Sequence, residues 1–326
     1  MSGKNKTRIF AYLSGFLTLQ IFGLIYFKWR NATDVVKIHA HVNIGIKKDI
    51  RNAVLNQHGL GMLPSSTNTS GNYACSHPDA STMAILVHSA MKSQRLRDAI
   101  RNSWARTDNL AKYGASLHFF IAKSKTGNSP EITQELQQYS DLIQLDFIDA
   151  YLNLSKKSVE IFRWASQHCP NVQYILKQDD DTYVNLTKLL MKLSDFQAAG
   201  KHEFIAGYHF PNRQPKRHPD DPYYTPLSLW PHQHWPAAVT GPAYVITSNV
   251  IRQILRRADD PTTPFIPWED IYITAVIRNY EKIPIYDIEG MRHIDCSPSS
   301  NNTALSLHRV RAINHQNLYE GKSCLT

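Results

Sequence analysis

Three consecutive carboxylates, Asp179, Asp180 and Asp181, close an apolar run in Tyr174-Ile-Leu-Lys-Gln-Asp-Asp-Asp-Thr-Tyr-Val-Asn185. Val172, Tyr174, Ile175 and Leu176 read as a buried strand, which delivers whatever stands at its end to one fixed point. Alternate side chains of extended backbone share a face, so Asp179 and Asp181 point the same way. Two like charges that close repel strongly unless a cation lies between them. Hard divalent ions such as Mn2+ or Mg2+ take oxygen ligands, and need only one or two carboxylates when a substrate phosphate completes the shell. The stretch predicts a metal–diphosphate site at a strand end; taken alone it also fits a solvated acidic turn. A second acidic pair, Glu269 and Asp270, heads the segment Pro267-Trp-Glu-Asp-Ile-Tyr-Ile-Thr274. Carboxylates in such a place either cap a helix or take a proton from a substrate.

The elements that must position these groups begin near residue 80. Apolar runs predict strands over 83–87, 117–121 and 142–147, and helical patterns fall over 94–105, 131–139 and 155–168. Ser129 suits a helix cap, with Pro130 at the first helical position. The acidic strand comes next, then a predicted helix over 186–198. Strand–helix alternation of this kind means an α/β fold with a mainly parallel central sheet and helices on both faces. In open sheets of that class, ligands bind outside the carboxyl ends of the strands, where the aspartates fall. Beyond 186 the order loosens. Residues 210–240 are rich in Pro, His, Tyr and Trp, which suits either sugar rings or an aromatic surface loop. A turn into a strand is predicted over 241–247, a helix over 249–258, and a further helix after the second acidic pair.

The chain has 326 residues and a formal charge of +9 with no polybasic run. It is long enough for one large domain or two small ones. The basic and aromatic interleaving that marks nucleic-acid binding is missing, so the charge points to anionic substrates or an anionic compartment surface, with no nucleic-acid partner. Residues 9–27 carry no charge, and about 19 residues of helix cross a bilayer core of about 30 Å. Lys4, Lys6 and Arg8 precede that stretch and Lys28 and Arg30 follow it. The bias favours a cytosolic tail over 1–8, a signal-anchor over 9–27, a polar stem over 28–79 and a translocated body over 80–326. Glycan acceptor patterns at Asn31, Asn68, Asn153, Asn185 and Asn301 agree with a luminal body. None of Cys75, Cys169, Cys296 and Cys324 has the spacing of a zinc site, and their pairing is open.

Several stretches in register resemble the animal beta-1,3-glycosyltransferase family, which includes beta-1,3-galactosyltransferases and N-acetylglucosaminyltransferases. Ile85-Leu-Val-His-Ser-Ala90 and Arg97-Asp-Ala-Ile-Arg-Asn-Ser-Trp104 are similar to the family's first strand and its R-x-A-I-R-x-(S/T)-W helix. Asp149-Ala-Tyr-Leu-Asn-Leu-Ser-Lys-Lys-Ser158 resembles D-x-Y-x-N-L-T-x-K-T. The acidic strand, Glu269-Asp-Ile-Tyr272 and Leu307-His-Arg309 resemble its later blocks. His88 stands where the family usually has Lys, Trp268 precedes the acidic pair, and Gly241-Pro-Ala-Tyr lacks a second glycine. The last two lie in the half that should meet sugar and acceptor, so they bear on substrate identity more than on reaction type.

The resemblance implies a nucleotide-diphospho-sugar transferase domain of the GT-A-like kind behind a single N-terminal transmembrane helix, in a type II protein of the Golgi membrane. It implies a UDP-sugar donor, Mn2+ (or Mg2+), and a glycan acceptor on glycoprotein or glycolipid. Asp181 would bind the metal directly, with Asp179 at the ribose or the metal's waters, and His308 is a further metal candidate that could equally be structural. Asp180, Arg97, Arg101 and Lys157 are placed at the nucleotide, although Arg97 and Arg101 also read as ordinary helix-face charges. Inversion from an alpha-linked donor to a beta product needs direct attack by a hydroxyl whose proton a carboxylate removes; Asp270 is the first choice and Glu269 the second. The rivals are a non-catalytic luminal relative, lectin-like or a folding partner, a two-metal phosphodiesterase, and a purely structural glycoprotein.

Overall fold

A strand that is apolar on both faces must be covered on both sides, and the first strand, β1 (Met83–His88), is buried along its whole length. The computed structural model describes Cys75, residues 82–300 and residues 304–325. The predicted tail and anchor, the stem apart from Cys75, and the acceptor patterns at Asn31, Asn68 and Asn301 lie outside those residues. Among the described residues no helix is long and apolar enough to cross a membrane.

The chain divides into two compact units. The described part of one is Asp220–Tyr224, a turn closed by the Tyr224 amide on the Asp221 carbonyl at 3.0 Å. The other, His58–Pro219 with Thr225–Thr326, carries the sheet. Beside β1 lie β2 (Ala115–Lys123), β3 (Leu142–Ile148), β4 (Tyr174–Asp179), β6 (Ile205–Phe210), β7 (Ala238–Thr247) and β8 (Ile285–Asp287), in the order β3-β2-β1-β4-β7-β6-β8. Pairings are parallel throughout except at β7, which runs against both β4 and β6. A short antiparallel pair, β5 (Tyr183–Val184) with β9 (Ser306–Leu307), stands apart from the main sheet.

The helices are α1 (Gln94–Arg101), α2 (Thr107–Lys112), α3 (Pro130–Gln138), α4 (Leu154–His168), α5 (Leu186–Ala198), α6 (Ile251–Asp259), the short α7 (Arg278–Tyr280) and α8 (Ala312–Tyr319). One face of the sheet, with Met83, Ile85 and Val87 of β1, packs on Ile100, Ile132, Leu189, Phe196 and Leu318 from α1, α3, α5 and α8. On the opposite face Phe120 of β2 meets the indole of Trp164 from α4 edge-on, ring centres 5.2 Å apart. Ser129 caps α3 by accepting from the Ile132 amide, and Pro130 holds its first position. The helix predicted over 94–105 stops at Arg101, where Ser103 turns its hydroxyl back to the Ala99 carbonyl (2.6 Å), a local bond that competes with a further helical turn.

The helix predicted after the second acidic pair is a π-helix, Ile271–Ile277, continued by α7. All seven of its residues are buried, so the apolar run has no wet side. Such wide turns recur at functional sites. The pairing left open by the sequence is Cys75–Cys169 and Cys296–Cys324. The first ties a residue upstream of the sheet to the end of α4; the second closes a loop of separation 28 around β9 and α8.

Candidate active site

Parallel pairing of β1 with β4 puts His88 opposite Asp179, so both strands end at one place. The chain then turns: the Asp180 amide donates to the His88 carbonyl (3.0 Å) and the Thr182 amide to the Asp179 carbonyl (3.2 Å). Asp180 faces inward, where its Oδ2 accepts from Ser89 Oγ at 2.8 Å. Burial, aided by Asp179 and Asp181 and opposed by Ser89, pushes its carboxyl up to about 6. Asp179 and Asp181 face the other way. The β5–β9 ladder delivers His308 to them, fastened by the Val310 amide on the Asp181 carbonyl (2.7 Å). His308 Nε2 lies 3.5 Å from Asp181 Oδ1, and its Nδ1 lies 3.7 Å from Asp295, itself held by Arg309 at 2.9 Å. Ligand atoms of Asp179, Asp181 and His308 all lie within 4.8 Å of one another. Burial lowers the imidazole's pKa and raises that of Asp181, whose neighbour Asp179 adds to the rise. Two carboxylates and an imidazole with a shared focus are a donor set that could hold a metal ion. A grouping of Cys75, His118 and Cys169 has no such capacity, because both thiols are joined as a disulfide.

The three cations expected at the nucleotide are placed differently. Arg97 is fully buried and binds Glu135 with Nε (2.8 Å) and Nη2, while Nη1 donates to Ser89 Oγ (2.8 Å) and the Ala90 carbonyl (2.7 Å). Arg101 pairs with Asp141 (2.7 Å) and Glu135 (2.9 Å), its guanidinium 3.9 Å from the Tyr139 ring centre. Lys157 is buried, donating to the Ser89 carbonyl (2.7 Å) and lying 3.4 Å from Asp149. These charges are spent inside the protein, and Arg97 and Lys157 brace Ser89, which in turn holds Asp180. Arg97 in particular is enclosed by a carboxylate, a hydroxyl and carbonyls, which occupy its donors in this arrangement. Arg97→Met should cost about 3 kcal/mol, because it breaks a buried ion pair and leaves Glu135 with Arg101 as its remaining guanidinium partner. Urea unfolding checks this, and unchanged stability would refute the bracing role.

The second acidic pair splits into two environments. Glu269 is buried and accepts at Oε1 from Tyr244 OH (2.6 Å) and Ser158 Oγ (2.7 Å), with Lys177 Nζ 3.5 Å from Oε2. Asp270 keeps 22% of its side chain exposed; Oδ1 accepts from the Ile271 amide at 2.9 Å and Oδ2 lies 3.5 Å from Arg213. Burial first and Glu269 second push its carboxyl up to about 6, against Arg213, the Ile271 amide and Lys177. Gly241 lies beneath Asp270; a Cβ there would stand 3.4 Å from the Asp270 Cβ.

Lys177 joins the two halves. It is buried, and its Nζ donates to Asp179 Oδ1 and to the Gly241 carbonyl, both at 2.8 Å, beside Glu269. Desolvation lowers its pKa, but Asp179 and Glu269 outweigh that and hold it above the usual lysine range. Sequence reasoning passed over Lys177, although strand alternation places it on the face of Asp179. It also passed over Ser158, Tyr244 and Arg213 as site residues. His88 completes the network, with Nε2 3.0 Å from Ser158 Oγ. Since the Ser158 proton goes to Glu269, the ring donates from Nε2. Burial, then Lys177 and Lys157, hold this imidazole well below its usual pKa.

The aromatic segment over 211–237 is built inward rather than open. Trp230 and Trp235 are buried and stack with centres 4.8 Å apart. Arg217 knits the loop by donating to the carbonyls of Thr225 (2.7 Å), Trp230 (2.8 Å) and His232 (2.6 Å). The two indoles therefore cover each other instead of offering free faces to a sugar.

A family model described as Galactosyltransferase matches residues 95–289. Lactosylceramide 1,3-N-acetyl-beta-D-glucosaminyltransferase A of Xenopus laevis is 28% identical over 63% of this chain and 56% of its own length. Beta-1,3-galactosyltransferase 5 of Mus musculus is 31% identical over 59% of this chain and 61% of its own length. The match thus spans less than two thirds of either relative. A solved structure of a glycosyltransferase involved in the glycosylation of the major capsid of PBCV-1 aligns with 73% of this chain and 98% of its own, with TM-score 0.38 and 11% identity. Matched by the family model over more than half of its 326 residues, and by relatives of this kind, the chain belongs to the galactosyltransferase family, that of the animal beta-1,3-glycosyltransferases.

Proposed function

We propose that this protein is a metal-dependent inverting hexosyltransferase. It moves galactose or an N-acetylhexosamine from a UDP-sugar to a hydroxyl of a glycan on a glycoprotein or glycolipid, forming a beta-1,3 linkage. The observation that carries the reading is the position of Lys177, which ties the Asp179–Asp181–His308 focus to the Glu269–Asp270 pair at one end of the sheet. The names of the relatives, with their beta-1,3 transfer of galactose or N-acetylglucosamine, support the linkage and the sugar class.

Asp179, Asp181 and His308 would hold the divalent cation. When bound, such an ion supplies positive charge against a diphosphate leaving group. Asp270 receives the acceptor hydroxyl's proton as that oxygen bonds to the anomeric carbon. The bond from that carbon to the diphosphate oxygen breaks, and UDP leaves with the electron pair. A single displacement inverts the carbon and needs no nucleophilic side chain. A base works only unprotonated, so activity is full above the Asp270 pKa of about 6 and is lost as pH falls through it. Below that point kcat/KM should drop roughly tenfold per pH unit; a flat acid limb would count against Asp270.

The expected Golgi location, with the anchor over 9–27 in the membrane and the body luminal, gains support from the two disulfides, which persist in oxidising compartments. Protease added to intact microsomes should spare the body and digest it after detergent. Transfer itself is tested with the full chain, Mn2+ and a panel of UDP-galactose, UDP-N-acetylgalactosamine and UDP-N-acetylglucosamine, with and without glycan acceptors. UDP release with one donor, abolished by EDTA, is expected. Absence of UDP binding in calorimetry would overturn the reading.

A further inference from the structure

Two adjacent carboxylates could share the role of base, yet their surroundings differ in a way that the reaction alone does not explain. Glu269 receives two short hydrogen bonds on one oxygen, from Ser158 of α4 and Tyr244 of β7, and faces Lys177 of β4 with the other. Behind Ser158 stands His88 of β1, donating into the same chain. Four elements therefore converge on a carboxylate that is 7% exposed, and no side of it is left for a substrate hydroxyl. A proton brought to Glu269 would have to displace one of these donors. Asp270, the next residue, has only a backbone amide and a loosely placed, half-exposed Arg213 as donors.

We propose that Glu269 is a positioning residue and not a second base: an enclosed carboxylate, clamped by Ser158, Tyr244 and Lys177, whose charge keeps the neighbouring Asp270 able to accept a proton. The proposal rests on the assignment of Asp270 as the base. The groups that face Asp270 are Glu269, Arg213, Lys177 and the Ile271 amide. Of these Glu269 alone favours proton uptake; the other three oppose it. The clamp supplies the donors that make a buried anion tolerable at that spot, since an unpaired one is costly. Lys177 serves both ends: its bond to Asp179 sets the metal-side carboxylate, and its charge beside Glu269 sets how strongly Asp270 feels that anion.

The test reads Asp270 directly and needs no substrate. In full-length protein labelled with [γ-13C]aspartate, the Asp270 signal is the one missing from Asp270→Asn. Its titration midpoint in the wild type is expected at about 6. Glu269→Gln, which keeps the shape and can still accept from Ser158 and Tyr244, should lower the midpoint by about one unit. Glu269→Asp, which keeps the charge, should leave it near the wild-type value. Lys177→Met should move it upward and supplies the reading if Glu269→Gln does not fold, as judged by thermal melting. An unchanged or raised midpoint in Glu269→Gln, or an unchanged one in Lys177→Met, overturns the proposal. A purely structural Glu269 would change melting without moving the Asp270 signal. Failure of the base assignment is read separately, as transfer retained by Asp270→Asn.

Discussion

Asp270→Asn is expected to fold, to bind UDP in the presence of Mn2+ as the wild type does, and to lose transfer by about 10²–10⁴-fold in kcat, the usual worth of a general base. The reason is local. The Asn carbonyl can still accept from the Ile271 amide, so the first turn after the acidic pair keeps its cap. Arg213 loses a partner at 3.5 Å with its own side chain half exposed, a contact worth little to stability. What disappears is the carboxylate of the pair with open surface, which burial and Glu269 push up to about 6. Steady-state kinetics with the donor identified by the panel, beside calorimetry for UDP, separates chemistry from binding. Wild-type turnover in this variant would remove Asp270 from the mechanism.

Asp181→Ala carries the second large effect. It takes one of two carboxylates from the Asp179–Asp181–His308 focus, and the remaining Asp179 is already engaged by Lys177 at 2.8 Å. One carboxylate, already shared with a lysine, and an imidazole make a poor site for a hard divalent ion. Mn2+-dependent UDP binding should weaken by at least about 100-fold, the upper end of what even supporting residues cost a metal site. Stability should hold, since burial and Asp179 both raise the Asp181 pKa and its loss relieves that repulsion. UDP titrations with Mn2+ and with EDTA give the comparison; equal Mn2+ dependence in mutant and wild type would exclude Asp181 as a ligand.

Much of the fold was legible because its first half is periodic. The strands over 83–87, 117–121 and 142–147 and the helices over 131–139, 155–168 and 186–198 needed only apolar spacing and one Ser-Pro start, and each lies within a residue or two of the observed element. The reversed β7 was not legible. Strand direction depends on which neighbour pairs with it, and no residue in 238–247 encodes that choice locally. The π-helix was hidden for a similar reason: a run buried on all sides shows no amphipathic period to count.

Among site residues, the chemical kinds were readable along the chain: paired carboxylates at a strand end, a second acidic pair, a late histidine, and the family blocks in order. Spacing made this possible because alternation along one strand is local geometry. Their surroundings came from the folded arrangement. It turned Asp180 onto Ser89, enclosed Arg97, Arg101 and Lys157 in ion pairs, and brought His308 to Asp181 across more than a hundred residues through a two-residue ladder. It also gave Glu269 and Asp270 opposite surroundings. Exposure and hydrogen-bond partners come from contacts distant in the chain, and those contacts set whether a charge faces a ligand or a neighbour.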